Sequence, residues 1–263
     1  MLQQIAKAAV AVSAAGLIIV CGLVFNATNA HADGNDSDLS QIGLSIIRNT
    51  GLTVYMNGKD PDLVGLGSFI VNAQADCNGC HGSNPALEYQ STATTGNNPY
   101  FLPGFNFPVK YNQLYYLNGG ANFGPVGAGK SSGVFESSAF GPGLGPDIYS
   151  RNLTPEHTGN PEGGNDFNTF KTILRMGTDF DHVHPNCSST VTTNCYVATP
   201  FNQVDGNLLQ VMPWPKFGNM TDRQLLAIWT YLSALPCNAN SALSSGFSWL
   251  KNTCGTVPTV PGS

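Results

Sequence analysis

Charged residues are scarce in this chain. Only 10% of its 263 residues are Asp, Glu, Lys or Arg, whereas an ordinary soluble domain carries about 25%. We therefore expect a polar surface made mostly of Asn, Ser, Thr and Gly. The 11 basic residues form no run and the formal net charge is -5, so nucleic-acid binding is close to excluded. The 30 glycines and 17 prolines predict long irregular stretches and argue against a long helical bundle.

The first 32 residues carry a single charge, Lys7, ahead of an apolar run from Ala8 to Phe25 and a polar stretch ending in Ala30-His31-Ala32. This order is typical of a secretory signal peptide cleaved after Ala32. The apolar run is also long enough for an uncleaved membrane anchor, which is the alternative. Export predicts a periplasmic protein, associated with the membrane only if this segment is retained.

Export changes how the six cysteines beyond residue 32 are interpreted, because disulfides persist in an oxidising compartment. Two pairs are close enough in sequence to close short loops, and we predict the disulfides Cys187–Cys195 and Cys237–Cys254. The third pair differs in kind, since it lies in Cys77-Asn78-Gly79-Cys80-His81.

C-x-x-C followed by His is the attachment signature of c-type haem. Two thiols about one helical turn apart can each add to a vinyl group of one porphyrin, and the adjacent imidazole then reaches the iron. Residue frequencies give a chance expectation of about 0.004 occurrences in this chain. We therefore predict one covalent haem c at Cys77 and Cys80, with His81 as the proximal iron ligand.

Two other uses of this motif are weaker. A thioredoxin-like site needs a following helix, whereas Gly82-Ser83-Asn84-Pro85 breaks one. A zinc site needs two further ligands, which the sequence could supply only from a distant group: Cys187, Cys195, His182 and His184.

The sixth iron ligand is predicted to be Met212. It lies in Met212-Pro213-Trp214-Pro215, where two prolines are expected to forbid helix and to hold the thioether in an extended loop. Core packing is the better explanation of Met176, which ends a helical stretch that begins at Asp166. Met220 precedes a capping box that starts at Thr221 and is placed to act as a hydrophobic staple.

Two segments carry a resemblance to known proteins. Met212-Pro213-Trp214, a short loop and then Thr221 to Pro236 resemble the distal loop and C-terminal helix of class I c-type cytochromes. The segment Arg151 to Gly159, with Asp166-Phe167 and Leu174 to Gly177, is similar to one in the cytochrome c subunits of membrane-bound alcohol and sugar dehydrogenases. Those subunits usually carry three haem motifs, whereas this chain has one.

The expected fold is mainly α, a class I cytochrome c fold with a long irregular or hairpin-bearing insertion. A helix is predicted from Asp62 to Ala75, where Gly65 and Gly67 would let another helix approach closely, and it should pack across Leu225, Ile228, Trp229 and Leu232. The predicted organisation is a signal peptide (1–32), an N-terminal segment (33–60), a monohaem cytochrome domain (61–236) with its insertion (83–150), and a disulfide-tied C-terminal tail (237–263).

Several further residues are candidates for lesser roles. Arg151 and Arg175 suit haem propionates, although a surface salt bridge is an equally good interpretation. His182 and His184 flank Val183 and are more often exposed loop histidines than metal ligands. Insertion aromatics are expected to shield the exposed haem flank, with a separate small core as the alternative: Phe101, Phe105, Phe107, Tyr115, Tyr116 and Phe123.

Three function classes follow from these features. The first is a monohaem electron carrier with no catalysis of its own, because His and Met would fill both axial positions. The second is a haem enzyme acting on peroxide or a small sulfur or nitrogen substrate after loss of the Met ligand, although no second C-x-x-C-H is present. The third, overlapping the first, is an electron-transfer subunit. Its redox partner would be a quinoprotein or flavoprotein dehydrogenase or a terminal oxidase.

Overall fold

The computed structural model describes residues 36–84, 87–90, 110–123, 149–178, 209, 211–240 and 252–260. Within these ranges the chain is mainly α-helical and forms no β-strand, and isolated β-bridges join Tyr89 to Tyr111, Asn122 to Tyr149 and Cys237 to Thr259. The predicted mainly α class is therefore confirmed. The predicted signal peptide, the pair Cys187 and Cys195, and the histidines His182 and His184 lie outside the described residues.

Seven helices are described, and they are numbered here in chain order. They are α1 (residues 36–50), α2 (Pro61–Phe69), α3 (Cys77–His81), α4 (Pro161–Gly164), α5 (Phe167–Met176), α6 (Trp214–Phe217) and α7 (Asp222–Leu232).

Helix α2 begins where the local sequence provides a start signal. The Asp60 side chain accepts a hydrogen bond from the Asp62 amide at 2.9 Å, and Pro61 occupies the first turn, where its missing N–H costs nothing. The helix continues as a π-helical turn from Ile70 to Gln74. The helix predicted from Asp62 to Ala75 is thus confirmed, and its wider last turn is a feature that apolar periodicity does not reveal.

Helices α2 and α7 cross at very short range at Gly67. A Cβ atom at Gly67 would collide with the Ala227 carbonyl and would lie 2.6 Å from the Tyr231 Cβ. This confirms that Gly67 permits close helix approach. The residues of α7 nearest to Gly67 are Ala227 and Tyr231, which the predicted contact stripe did not include. Trp229, which it did include, also packs edge-on against Phe167 of α5, with ring centroids 6.2 Å apart.

Helix α1, in the predicted N-terminal segment, also packs on α2 through glycines. A Cβ atom at Gly65 would lie 2.5 Å from the Ser40 hydroxyl oxygen, and one at Gly43 would lie 2.8 Å from the Phe69 amide nitrogen. The Ser68 hydroxyl donates to the Gly43 carbonyl at 3.0 Å. Small residues on both faces of α2 therefore let two helices approach its backbone.

Helix α5 has both termini that its sequence predicts. The Asp166 side chain accepts from the Thr169 amide at 2.8 Å, and Gly177 ends the helix in the left-handed conformation with φ of 68°. The core role expected for Met176 is wrong, since this side chain is 60% exposed. The buried face of α5 is instead formed by Phe170, Ile173 and Leu174, so the last residue before the cap points away from it.

The segment after Met212 corrects a second expectation. The prolines do not forbid helix there, because α6 begins at Trp214 and contains Pro215 in its first turn. Proline is compatible with a first helical turn because no intrahelical bond to its nitrogen is needed. Helix α7 follows with the predicted capping box, in which Thr221 and Gln224 exchange side-chain and backbone hydrogen bonds.

Five buried asparagines connect the irregular segments, and we call them the asparagine cluster. Each is at most 5% exposed. Their amides bond mainly to backbone groups of other loops, as when Asn152 donates to the Asn238 carbonyl at 2.8 Å and Asn240 donates to the Asn118 carbonyl at 2.6 Å. The cluster consists of Asn78, Asn118, Asn152, Asn238 and Asn240.

The C-terminal tail is tied to the end of the helical region. Cys237 and Cys254 are disulfide bonded, with Cα atoms 5.7 Å apart, as predicted from their short separation. The Cys237 amide also donates to the Pro258 carbonyl at 2.7 Å. Among the described residues, no helix has both the length and the apolar character needed to cross a membrane.

Candidate functional site

Helix α3 consists of the five residues of the C-x-x-C-H motif. Asp76 precedes it in the left-handed conformation, with φ of 46°, and Gly82 ends it in an extended conformation. Cys77 and Cys80 are three residues apart on this single turn, so both thiols lie on one side of it. The structure thus places the two thiols and the imidazole of His81 together, as the motif predicts.

The environment of the two thiols favours their neutral form. Burial, followed by the charges of Asp76 and Cys80, raises the pKa of Cys77 to about 12. Burial and then Asp76 raise the pKa of Cys80. Both cysteines are free and half-buried. Both thiols are therefore held in the neutral, protonated form rather than as thiolates.

His81 is held by backbone groups from two loops. Its Nδ1 lies 2.8 Å from the Arg151 carbonyl oxygen, and its own carbonyl accepts from the Gly119 amide at 2.7 Å. Burial lowers the pKa of His81, assisted by the Arg151 charge and opposed by the bond to the Arg151 carbonyl. A neutral ring that donates from Nδ1 leaves the Nε2 lone pair for a metal, the usual state of a histidine ligand.

Asn78, between the two cysteines, fixes α3 against the insertion. Its side-chain oxygen accepts from the Leu117 amide at 2.8 Å and its nitrogen donates to Glu88 at 2.9 Å. Burial raises the pKa of Glu88, and the bond from Asn78 opposes that rise. Sequence reasoning missed Asn78, and it missed the backbone groups of Arg151 and Gly119, because no side-chain pattern marks a backbone partner.

A ring of hydrogen bonds lies beside Cys77, between the insertion and the helices. The Tyr116 hydroxyl lies 2.6 Å from Asn72 Oδ1 and 2.8 Å from the Tyr231 hydroxyl, to which Asn72 Nδ2 donates at 3.3 Å. Burial raises the pKa of Tyr231 to about 12, and burial also raises the pKa of Tyr116 well above its usual value. Tyr116, one of the insertion aromatics, is therefore buried in the main core.

The four methionines beyond the predicted signal peptide differ in exposure. Met56, Met212 and Met220 are half-buried and pack against the hydrophobic core that Cys77 also contacts, whereas Met176 is exposed. The Met212 carbonyl accepts from the Trp214 amide at 2.7 Å. This turn lies immediately before α6, so Met212 lies outside that helix.

Arg175, one of the two arginines suggested for haem propionates, makes structural contacts. Arg175 binds Asp222 at the start of α7, with 2.7 Å between Nη2 and Oδ1, and also donates to the Gly218 carbonyl. The salt-bridge interpretation of Arg175 is therefore confirmed. Within the described ranges, no group of three or more His, Cys, Asp or Glu side chains is placed to bind a metal ion.

The donor set around α3 fits covalent haem. It offers two free thiols on one helical turn and a neutral imidazole whose Nδ1 is already bound by a carbonyl. Comparisons with protein-family models, curated proteins and solved structures found no match to this chain.

Proposed function

We propose that this protein is an exported monohaem c-type cytochrome that passes single electrons between redox proteins. The observation that carries the proposal is the arrangement of Cys77, Cys80 and His81 on one turn, with His81 Nδ1 bound to the Arg151 carbonyl. Haem c, when bound, supplies a one-electron change between ferric and ferrous iron. In this proposal Cys77 and Cys80 would attach the haem, and His81 and Met212 would bind its iron.

Each of these residues has a role that its surroundings support. The Arg151 carbonyl fixes the tautomer and orientation of His81, which maintains Nε2 as a ligand atom. The Leu117 amide donates to the Asn78 side chain and so attaches α3 to the insertion. Cys77 and His81 are half-buried, which limits the access of water to this site. These hydrogen bonds hold the residues that would bind the haem in fixed positions. Electron exchange would then require only a close approach of the two proteins.

The fold and the compartment belong to the same proposal. The close crossing of α2 and α7 at Gly67 supports a class I cytochrome c fold, whose N- and C-terminal helices are expected to cross. The Cys237–Cys254 disulfide supports an oxidising compartment such as the periplasm. The proposed partner is a redox protein, either a quinoprotein or flavoprotein dehydrogenase that donates electrons or a terminal oxidase that accepts them.

Covalent attachment is tested by precipitating the full-length protein, expressed with its export signal, from acid acetone. The haem should stay with the chain, and mass spectrometry should show its added mass on the peptide containing Cys77. Cys77→Ser with Cys80→Ser should abolish this retention. Haem that extracts freely from the wild-type chain contradicts the proposal.

The sixth ligand is tested by Met212→Ala, with Met176→Ala as its matched control. Met212→Ala should remove the near-infrared band of methionine-ligated ferric haem and lower the reduction potential, because loss of the thioether favours the ferric state. Met176→Ala should leave both unchanged, since Met176 is exposed. The opposite result assigns the ligand elsewhere.

The carrier role is tested by stopped-flow mixing with a reduced or oxidised redox protein, which should show fast electron exchange. Peroxide, sulfite, thiosulfate and nitrite should give no steady-state turnover. Sustained turnover of any of them by the purified protein would defeat the carrier proposal in favour of a haem enzyme.

A further inference from the structure

The C-terminal end of α5 contacts the chain on both sides of Met212. On the N-terminal side, the Leu209 amide donates to the Gly177 carbonyl at 2.7 Å. On the C-terminal side, the guanidinium of Arg175 donates to the Gly218 carbonyl. The segment that contains Met212 is therefore attached to α5 before and after the methionine.

The indole of Trp214 makes the closest of these contacts. A Cβ atom at Gly177 would lie 2.5 Å from Trp214 Nε1 and closer still to two ring carbons. Only a residue without a side chain permits this approach. Gly177 also has φ of 68°, a backbone conformation in which other residues are strained.

We propose that Gly177 and Trp214 are positioning residues for Met212. Because Gly177 has no side chain, the indole of Trp214 can pack directly on its backbone. The indole then holds in place the loop that contains Met212. The inference rests on the proposed role of Met212 as an iron ligand. Trp214 is two residues from Met212 and its amide donates to the Met212 carbonyl at 2.7 Å. A displacement of the indole therefore moves the methionine directly.

The chain offers a matched control for the strained backbone. Gly58 has φ of 71°, nearly that of Gly177, but a Cβ atom there would have nothing within 4 Å. Alanine at Gly58 thus adds the same backbone strain without a collision. Comparing Gly177→Ala with Gly58→Ala therefore separates the effect of displacing Trp214 from the effect of a general loss of stability.

The experiment is a titration of the ferric holoprotein with imidazole, which competes with Met212 for the iron. Gly177→Ala should bind imidazole about tenfold more tightly than wild type. This factor corresponds to a weakening of methionine ligation by about 1.4 kcal/mol. Its near-infrared methionine band should weaken as well. Gly58→Ala should keep the wild-type imidazole affinity and band, even where urea unfolding shows both variants to be less stable.

Trp214→Leu provides a second test, because it removes the indole instead of adding a methyl group that collides with it. It should also tighten imidazole binding, and Gly177→Ala combined with Trp214→Leu should be no worse than Trp214→Leu alone, because the added methyl group occupies space that the indole has left. If Gly177→Ala fails to incorporate haem, Trp214→Leu decides the question alone.

Two outcomes overturn the inference. One is equal imidazole affinity in Gly177→Ala and Gly58→Ala, and the other is wild-type affinity in Trp214→Leu. A failure of the proposed function looks different: either the wild-type chain retains no haem, or Met212→Ala keeps the near-infrared band.

Discussion

Two regions of this protein are stabilised in different ways. In the helical region, formed by α1, α2 and α7, glycines bring backbones into contact and apolar side chains fill the core. In the loop region, formed by residues 81–84, 110–123, 149–156 and 236–240, four members of the asparagine cluster bond one backbone segment to another, and the fifth, Asn78, joins α3 to this region. His81 is bound by two segments of the loop region, through the Arg151 carbonyl and the Gly119 amide.

The difference follows from what each backbone can satisfy by itself. A helix pairs its own N–H and C=O groups, so its packing needs only shape and apolar surface. An irregular segment buried in a protein must find partners for those groups elsewhere. An asparagine amide carries both donors and an acceptor. The four buried asparagines of the loop region, with Asn78 of α3, therefore supply the hydrogen-bond partners that a helix finds within its own backbone. The two regions should therefore respond to different substitutions.

The largest effect is expected at the crossing of α2 and α7. Gly67→Ala should lower the free energy of unfolding by about 3 kcal/mol, the upper range for inserting a methyl group into a filled contact. In a helix without such a neighbour, the same change would stabilise by about 1 kcal/mol. Urea denaturation of the holoprotein measures the sign, and a stabilised variant would mean that the helices are not in contact at Gly67.

In the loop region, Asn238→Ala should cost about 2 kcal/mol, because buried backbone groups lose their partners. Asn238 accepts from the Asn240 amide and donates to the Leu114 carbonyl, both at 2.9 Å. The control is Asn57→Ala at an exposed position, where a change within about 0.5 kcal/mol is expected. Equal denaturation midpoints for the two variants would remove the distinction between the regions.

A smaller effect is expected where the regions join. Tyr116→Phe removes a hydroxyl that bonds to Asn72 and Tyr231 and should cost about 1 kcal/mol. Because the three groups form a ring, Tyr231→Phe combined with Tyr116→Phe should cost less than the sum of the single changes. Strict additivity in urea denaturation would indicate that the ring does not act as a unit.

The smallest effect concerns the surface of the helical region. Hydrogen bonds from Arg175 and then Lys171 hold the pKa of Asp222 below its usual value of 3.8. A carboxyl whose pKa is lower in the folded state stabilises the protein above the unfolded pKa, and this contribution is lost as the pH falls through the folded value. Asp222→Asn should therefore flatten the decline of thermal stability below about pH 4. A decline as steep as that of wild type contradicts the prediction.

The helical region was largely predictable because its signals are local. Asp166 and Gly177 bound α5, and Thr221 with Gln224 begins α7, as their positions in the sequence indicate. The loop region was not predictable in this way. A low charge content suggested asparagines at the surface, yet five of them are buried, because a single sequence does not show which irregular segments meet.

The candidate site also combines features that local sequence predicts with features that depend on tertiary contacts. By itself, the sequence determined the C-x-x-C-H turn, the choice of Met212 over other methionines as a prediction, and the pairing of Cys237 with Cys254, since each depends on spacing within a short stretch. Only the tertiary structure decided that the Arg151 carbonyl, 70 residues away, binds His81, that Met176 is exposed, and that Gly177 lies under Trp214. These contacts join residues far apart in the chain, and backbone partners leave no mark in the order of the side chains.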